Sequence, residues 1–220
     1  MNWLENLEQQ RVIAVIRAPS YRLGLQMAKA VAAGGIKLIE ITADSDRAWD
    51  LIPELQQELP DCVIGTGTIL TNEQWSDAVS SGAQFMFSPH VDVGLIGKSR
   101  SIGMPMIPGA FSPTEIVTAW QAGAASVKVF PIQSLGGADY IRAICSPLGQ
   151  IPLIPTGGVN LVNARDLIGA GAIAVGLAGS LFPKQCLEEE DWGSITTIAQ
   201  DLIESLKSQV LSEKQSFLLK

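Results

Sequence analysis

Eight short apolar runs, rich in β-branched residues and recurring every twenty-odd positions, constrain the fold of this chain more than any other feature. They are Arg11 to Arg17, Ile36 to Thr42, Cys62 to Thr68, Phe85 to Pro89, Met104 to Gly109, Ser126 to Pro131, Ile151 to Gly157 and Ala172 to Ser180. Runs of this length without polar alternation suit strands covered on both faces, as in parallel sheets. Between them lie helix-length segments with apolar residues three and four apart, such as Leu23, Met27, Ala30 and Val31, or Ile52, Leu55 and Leu59. Helix starts are signalled by Thr71 with Gln74, by Ser112-Pro113 with Glu115, and by Asn160 after Gly157-Gly158. Gly34-Gly35, Gly82, Gly103, Gly123 and Gly171 mark helix ends. The alternation predicts an α/β fold, a (β/α)8 TIM barrel with an extra N-terminal helix, and a doubly wound open sheet is the alternative. Trp3, Leu4 and Leu7 stand at helical spacing and would cover the N-terminal mouth of the barrel. No linker-like stretch divides the chain, so residues 1–220 read as one domain with a C-terminal tail, from about 205, that frays.

Composition narrows the function. The 220 residues are 47% hydrophobic and 17% charged, with 21 glycines, a balance that fits doubly covered strands and tight turns. A formal net charge of −7 argues against a nucleic-acid or anionic-membrane surface, so a small anionic substrate would need local positive groups. Cys62, Cys145 and Cys186 show neither metal spacing nor a paired framework and read as reduced thiols of a cytoplasmic protein. The first apolar stretch, Val12 to Ile16, is too short for a signal-peptide core or a membrane span. Glu40, Asp44 and Asp46 cluster in sequence, but a solvated loop explains them better than a cation site, and no metal is expected.

In a barrel of this kind chemistry sits where strands end, at Arg17, Glu40, Thr68, Pro89, Pro108, Lys128, Thr156 and Ser180. Lys128 is the lone amine in Ser126-Val127-Lys128-Val129-Phe130-Pro131. Burial favours the free base of a lysine, which can attack a ketone, and a strand-end lysine whose head reaches water is the plain alternative. Glu40 lies in another apolar run, Lys37 to Thr42, where desolvation raises a carboxylate toward general acid/base use, although a buried ion pair would serve as well. Arg17 would bring a guanidinium to the same rim to hold a substrate carboxylate, unless a salt bridge to Glu40 or Asp44 claims it. Gly65-Thr66-Gly67-Thr68, Pro155-Thr156-Gly157-Gly158 and Gly179-Ser180 are strand-end turns whose amides can cradle phosphate. His90, after Ser88-Pro89, reads as a structural histidine near the mouth.

In this order the motifs resemble those of the class I aldolases that cleave 2-keto-3-deoxy-6-phosphogluconate, a family that includes 4-hydroxy-2-oxoglutarate and phosphogalactonate aldolases. The residues that carry the resemblance, over roughly 4 to 205, are Ile13 to Arg17, Ile39-Glu40-Ile41-Thr42, Gly65 to Thr68, Phe87-Ser88-Pro89, Pro108-Gly109, Val127 to Pro131 and Pro155 to Gly158. The resemblance implies Lys128 as the Schiff-base lysine and Glu40 as the acid/base. It also implies Arg17, Thr68, Pro89 and Phe130 around the pyruvyl end, and Thr156, Gly157, Gly158, Gly179 and Ser180 at the phosphate. No cofactor is implied, the substrate is a small anionic keto-deoxy sugar acid phosphate, the product is pyruvate, and the assembly is a homotrimer. Three positions depart from the family pattern: Asp44 stands where some members have an arginine, Gly176-Leu177-Ala178-Gly179-Ser180 is a looser run than usual, and His90 replaces a common glycine. A 2-keto-3-deoxy-6-phosphogalactonate aldolase, a metal-dependent aldolase, a phosphosugar isomerase or epimerase, and a non-catalytic metabolite-binding protein are the competing expectations.

Overall fold

Strand and helix alternate throughout the chain in a computed structural model that describes residues 2–218, with side chains described as far as 207. The first half runs α1 (Trp3–Gln10), β1 (Val12–Ile16), α2 (Tyr21–Ala33), β2 (Leu38–Thr42), α3 (Ala48–Glu58), β3 (Val63–Gly67), α4 (Asn72–Ser80), β4 (Met86–Phe87), α5 (Val93–Ser101) and β5 (Met106–Ile107). It continues with β6 (Gly109–Ala110), α6 (Pro113–Ala122), β7 (Val127–Val129), a 3-10 turn (Ile132–Leu135) and α7 (Ala138–Leu148). Last come β8 (Leu153–Pro155), α8 (Ala164–Gly169), β9 (Val175–Leu177), α9 (Lys184–Glu188) and α10 (Trp192–Leu218). The tail expected to fray from about 205 begins inside α10, and its side chains beyond Lys207 lie outside the described residues. None of the described helices is long and apolar enough to cross a membrane.

Several helix boundaries have a local cause. Thr71 caps α4 by accepting the Gln74 N–H at 3.2 Å. Ser112 and Glu115 form a reciprocal capping box on α6, with Pro113 in its first turn. Asn160 does not start α8 as its position suggested: its Oδ1 accepts the N–H groups of Val162 and Asn163, which closes a turn and delays the helix to Ala164. Gly35, Gly82, Gly103, Gly123 and Gly171 all carry positive φ at or just after helix ends, as the sequence leads one to expect.

All strand pairings are parallel. One sheet has the order β5-β4-β3-β2-β1-β9 and the other β6-β7-β8. The run read as a single strand from Met104 to Gly109 is split at Pro108, which has no N–H to give the ladder, although its carbonyl accepts the Lys128 N–H at 2.9 Å. A parallel bridge between Thr156 and Gly176 links the end of β8 to β9. The architecture is an α/β fold built on a curled parallel sheet with helices on its outer face.

Successive side chains of a strand point to opposite faces, and here the two faces have separate jobs. The outward set packs against the helices in one continuous core that includes Ile39, Ile41, Ile64, Val127 and Val129. The inward set forms a second cluster of Ile13, Leu38, Phe85, Phe87, Ile107, Ile154 and Ala174, plugged by Leu7 of α1. Trp3 stacks over this plug, its ring 5.0 Å from that of Phe85, and its indole N–H donates to Ser126 Oγ at 3.1 Å. Leu4, expected to join them, is instead exposed. Because Leu7 is fully buried in that plug, Leu7→Ala should cost about 2–5 kcal/mol of stability, read as a lower midpoint in urea at unchanged slope.

Candidate active site

Two residues further along the inward faces, the apolar plug gives way to ionisable and polar side chains. Ile13 is followed by Val15 and Arg17, Leu38 by Glu40 and Thr42, and Ile154 by Thr156. Together with residues from β7 and β9 they enclose a cavity of about 380 Å³ at the C-terminal ends of the strands. All eleven residues expected at a site line it: Glu40 and Lys128; Arg17, Thr68, Pro89 and Phe130; and Thr156, Gly157, Gly158, Gly179 and Ser180. A larger cavity of about 720 Å³ opens at the other end of the strands, between α1, the turn after α2, and α10. None of those eleven residues lines it, so size does not identify the chemistry.

Glu40 is 1% exposed, and its carboxylate makes no hydrogen bond or ion pair within the described residues. It fits because Gly67 stands on the neighbouring strand: a Cβ there would lie 1.7 Å from Glu40 Oε1. Burial raises the Glu40 pKa above the ordinary 4.5, and the nearby positive charges of Lys128 and then Arg17 oppose the shift in part. Lys128, 7% exposed in the middle of β7, has its Nζ 4.8 Å from the Phe130 ring centroid and 5.6 Å from that of Phe87. Aromatic faces border this amine, and among the described residues it makes no ion pair within 4 Å, although Glu40 shares its cavity.

Arg17 stands on the rim, its side chain 62% exposed. Its Nε donates to Asp44 Oδ2 at 2.8 Å and its Nη2 to Thr68 Oγ1 at 3.4 Å. Of the two sequence expectations for Arg17, the salt bridge to Asp44 is present, and the residue also lines the cavity. Thr68 has φ of 62°, a left-handed conformation that is costly for a β-branched residue and that turns its hydroxyl toward Arg17. On the opposite wall Gly157 and Gly158 carry successive φ values of 84° and 85°. Ser180 donates its hydroxyl proton to Val159 O at 3.2 Å.

Other expectations resolve differently. Pro108 does not border the cavity and acts through its carbonyl on the β7 backbone. His90 lies in an adjoining cavity of about 380 Å³ that shares Pro89 and Phe130 with the first. The acids at 40, 44 and 46 diverge: Asp44 pairs with Arg17, and Asp46 accepts the Tyr21 N–H at 2.9 Å. Val15, Thr42, Val159, Gly176 and Ala178 line the cavity without having been expected. Val15 and Thr42 lie two residues from Arg17 and Glu40, so strand alternation carried the signal. Gly176 is small because a Cβ there would meet Thr156 Oγ1 at 2.5 Å.

An enclosed lysine and a buried carboxylate face one cavity at the strand ends of a curled parallel α/β sheet, an arrangement compatible with a carbon–carbon lyase. The chain belongs to the KDPG and KHG aldolase family, whose model matches residues 4–198. It is 32% identical over 206 residues to the 2-dehydro-3-deoxy-phosphogluconate aldolase of Dickeya dadantii strain 3937, covering 92% of this chain and 97% of that one. It is equally 32% identical over 197 residues to the KHG/KDPG aldolase of Escherichia coli K12, covering 89% and 92%. The structure of a KDPG aldolase from Legionella pneumophila, with pyruvate captured as a covalent carbinolamine, superposes with a TM-score of 0.84 at 28% identity, covering 92% of this chain and 98% of that chain.

The raised Glu40 pKa also has a consequence for stability. A carboxyl whose proton is held more tightly when folded costs nothing below its unfolded pKa near 4.5, and destabilises the fold as pH rises through the higher folded value. Glu40→Gln should therefore raise Tm at pH 8, by about 2–4 °C for each kcal/mol recovered, and the gain should vanish at acid pH in parallel melts.

Proposed function

We propose that this protein is a class I aldolase that cleaves 2-keto-3-deoxy-6-phosphogluconate to pyruvate and glyceraldehyde 3-phosphate, and 4-hydroxy-2-oxoglutarate to pyruvate and glyoxylate. The observation that carries the reading is the shared cavity of Lys128 and Glu40. The free amine of Lys128 adds to the C2 ketone, and loss of water forms an iminium that can accept an electron pair. The Glu40 carboxylate takes the C4 hydroxyl proton as the C3–C4 bond breaks, the aldehyde leaves, and the bonding electrons settle in an enamine. Protonation at C3 and addition of water then release pyruvate and restore the lysine.

The remaining residues hold the substrate for this step. Arg17 and Thr68 would take its carboxylate, with Pro89 and the Phe130 ring against the pyruvyl carbons. Thr156, Gly157, Gly158, Gly179 and Ser180 would border the phosphate, which would be held mainly by backbone amides, since the Thr156 and Ser180 hydroxyls donate to Ile154 O and Val159 O. Both substrates share the pyruvyl end, and 4-hydroxy-2-oxoglutarate simply leaves the phosphate end unfilled. Pairing of β1 with both β2 and β9, together with the Thr156–Gly176 bridge, supports closure of the sheet as a (β/α)8 barrel. Family membership supports a homotrimer, and the chain is read as cytoplasmic.

Incubation with pyruvate and sodium borohydride, followed by intact-mass and peptide mapping, should place one reduced pyruvyl group on Lys128. Lys128→Ala should give neither adduct nor turnover, and full activity in that variant would refute the assignment. The acidic limb of kcat/KM should lie above pH 4.5, because cleavage needs Glu40 as the carboxylate and burial raises its pKa. In Glu40→Gln that limb should disappear and kcat should fall by about 10²–10⁴, both read from a pH series of the cleavage assay.

A further inference from the structure

The turn after β8 is held by its carbonyl oxygens. Thr156 O accepts the Ile132 N–H at 2.9 Å, and Gly157 O the Gln133 N–H at 3.1 Å. Gly158 O accepts from Asn163 Nδ2 at 3.0 Å, and Val159 O from the Ser180 hydroxyl. In a trans peptide the N–H points away from the carbonyl of the same unit. Fixing the carbonyls of Gly157 and Gly158 therefore aims the N–H groups of Gly158 and Val159 in the opposite direction. Neither N–H has an acceptor among the described residues; Gly158 is exposed while Val159 is only 6% exposed, and both residues line the cavity. A buried amide without a partner is uncommon in a folded protein and marks a place where something else accepts its hydrogen bond.

Asn163 spans this turn. Its Oδ1 accepts the Asn160 N–H at 2.8 Å while its Nδ2 holds Gly158 O. It precedes α8 in the capping position, yet its side chain makes no cap hydrogen bond to that helix. Ser180 has one hydroxyl proton and gives it to Val159 O, so it too acts on the turn in this structure.

We propose that Asn163 is a positioning residue for the phosphomonoester end of the substrate: it fixes the Gly158 carbonyl so that the Gly158 and Val159 amides face the cavity as a paired anion receptor. The identity of the substrate rests on the aldolase reading above, whereas the receptor rests on the hydrogen bonds alone. Oriented amides recognise phosphate by direction as much as by charge, so a freed turn weakens them without touching Lys128 or Glu40.

Asn163→Ala removes both bonds. Asn163→Asp is isosteric and keeps the acceptor for Asn160 but sets a carboxylate oxygen against Gly158 O, so one variant remains informative if the other melts early. Each is assayed on 2-keto-3-deoxy-6-phosphogluconate and on phosphate-free 4-hydroxy-2-oxoglutarate. The KM for the phosphorylated substrate should rise roughly tenfold in Asn163→Ala and further in Asn163→Asp, with kcat within about twofold and the phosphate-free KM unmoved. Inorganic phosphate should weaken as a competitive inhibitor by the same factor. An equal rise on both substrates, or an unchanged KM for the phosphorylated one, would overturn the proposal. If the wild type turns over neither substrate, the aldolase reading fails instead, and calorimetry with inorganic phosphate decides the receptor. Weaker binding to Asn163→Ala than to wild type then supports it, and equal or absent binding to both overturns it.

Discussion

Everything at the open end of the sheet follows from the need to house two long ionisable side chains, Glu40 and Lys128, in one small cavity. Glu40 has neither a water shell nor a partner, and a buried carboxylate in that state tends to neutralise, pair or reorganise its surroundings. It is tolerated because the surrounding structure leaves it one place to go. Gly67 surrenders its side-chain volume to the Glu40 carboxylate, and Gly65 lets the Phe85 ring come within 2.5 Å of where its own Cβ would be. Gly109 does the same for the Pro89 backbone. Glycine at these positions is a matter of space, and it lets the cavity floor be both tightly packed and chemically unsatisfied.

The division of each strand into an apolar lower half and a functional upper half explains how the fold carries that cost. Leu7, Ile13, Leu38, Phe85, Phe87, Ile107 and Ile154 close the interior from below, while the outward faces are sealed by helices. Stability resides in those layers, so the residues two steps along are released from packing duty. The same arithmetic places Arg17 and Thr42 beyond Val15 and Glu40. Backbone strain appears at this level too, with Thr68 in the left-handed region beside the permissive turn of Gly157 and Gly158.

Features written in local chemistry were legible before any coordinates. Apolar runs located the strands, glycines located the helix ends, and single charged residues inside apolar runs located Glu40 and Lys128. What was not legible depends on partners distant in sequence. Leu4 faces solvent because Leu7 and Trp3 already fill the mouth. The fate of Arg17 turned on whether Asp44, from another loop, came within reach. Asn163 was invisible for the same reason, since an asparagine near a helix start suggests a cap, and only the fold shows its amide turned back onto Gly158.

The pairing of Arg17 with Asp44 also bears on how the protein meets its substrate. The guanidinium's charge is answered on the spot by a carboxylate 2.8 Å away, on a chain whose formal net charge is −7. Within about a Debye length of its surface such a molecule offers an approaching anion little attraction from Arg17, and its overall charge repels one; farther out both effects are screened. Capture is then a matter of contact: diffusion delivers the anion unaided, and recognition begins only when oriented N–H groups are within hydrogen-bonding range. Dissolved salt, which slows enzymes that draw their substrates in from a distance, would here remove an obstacle.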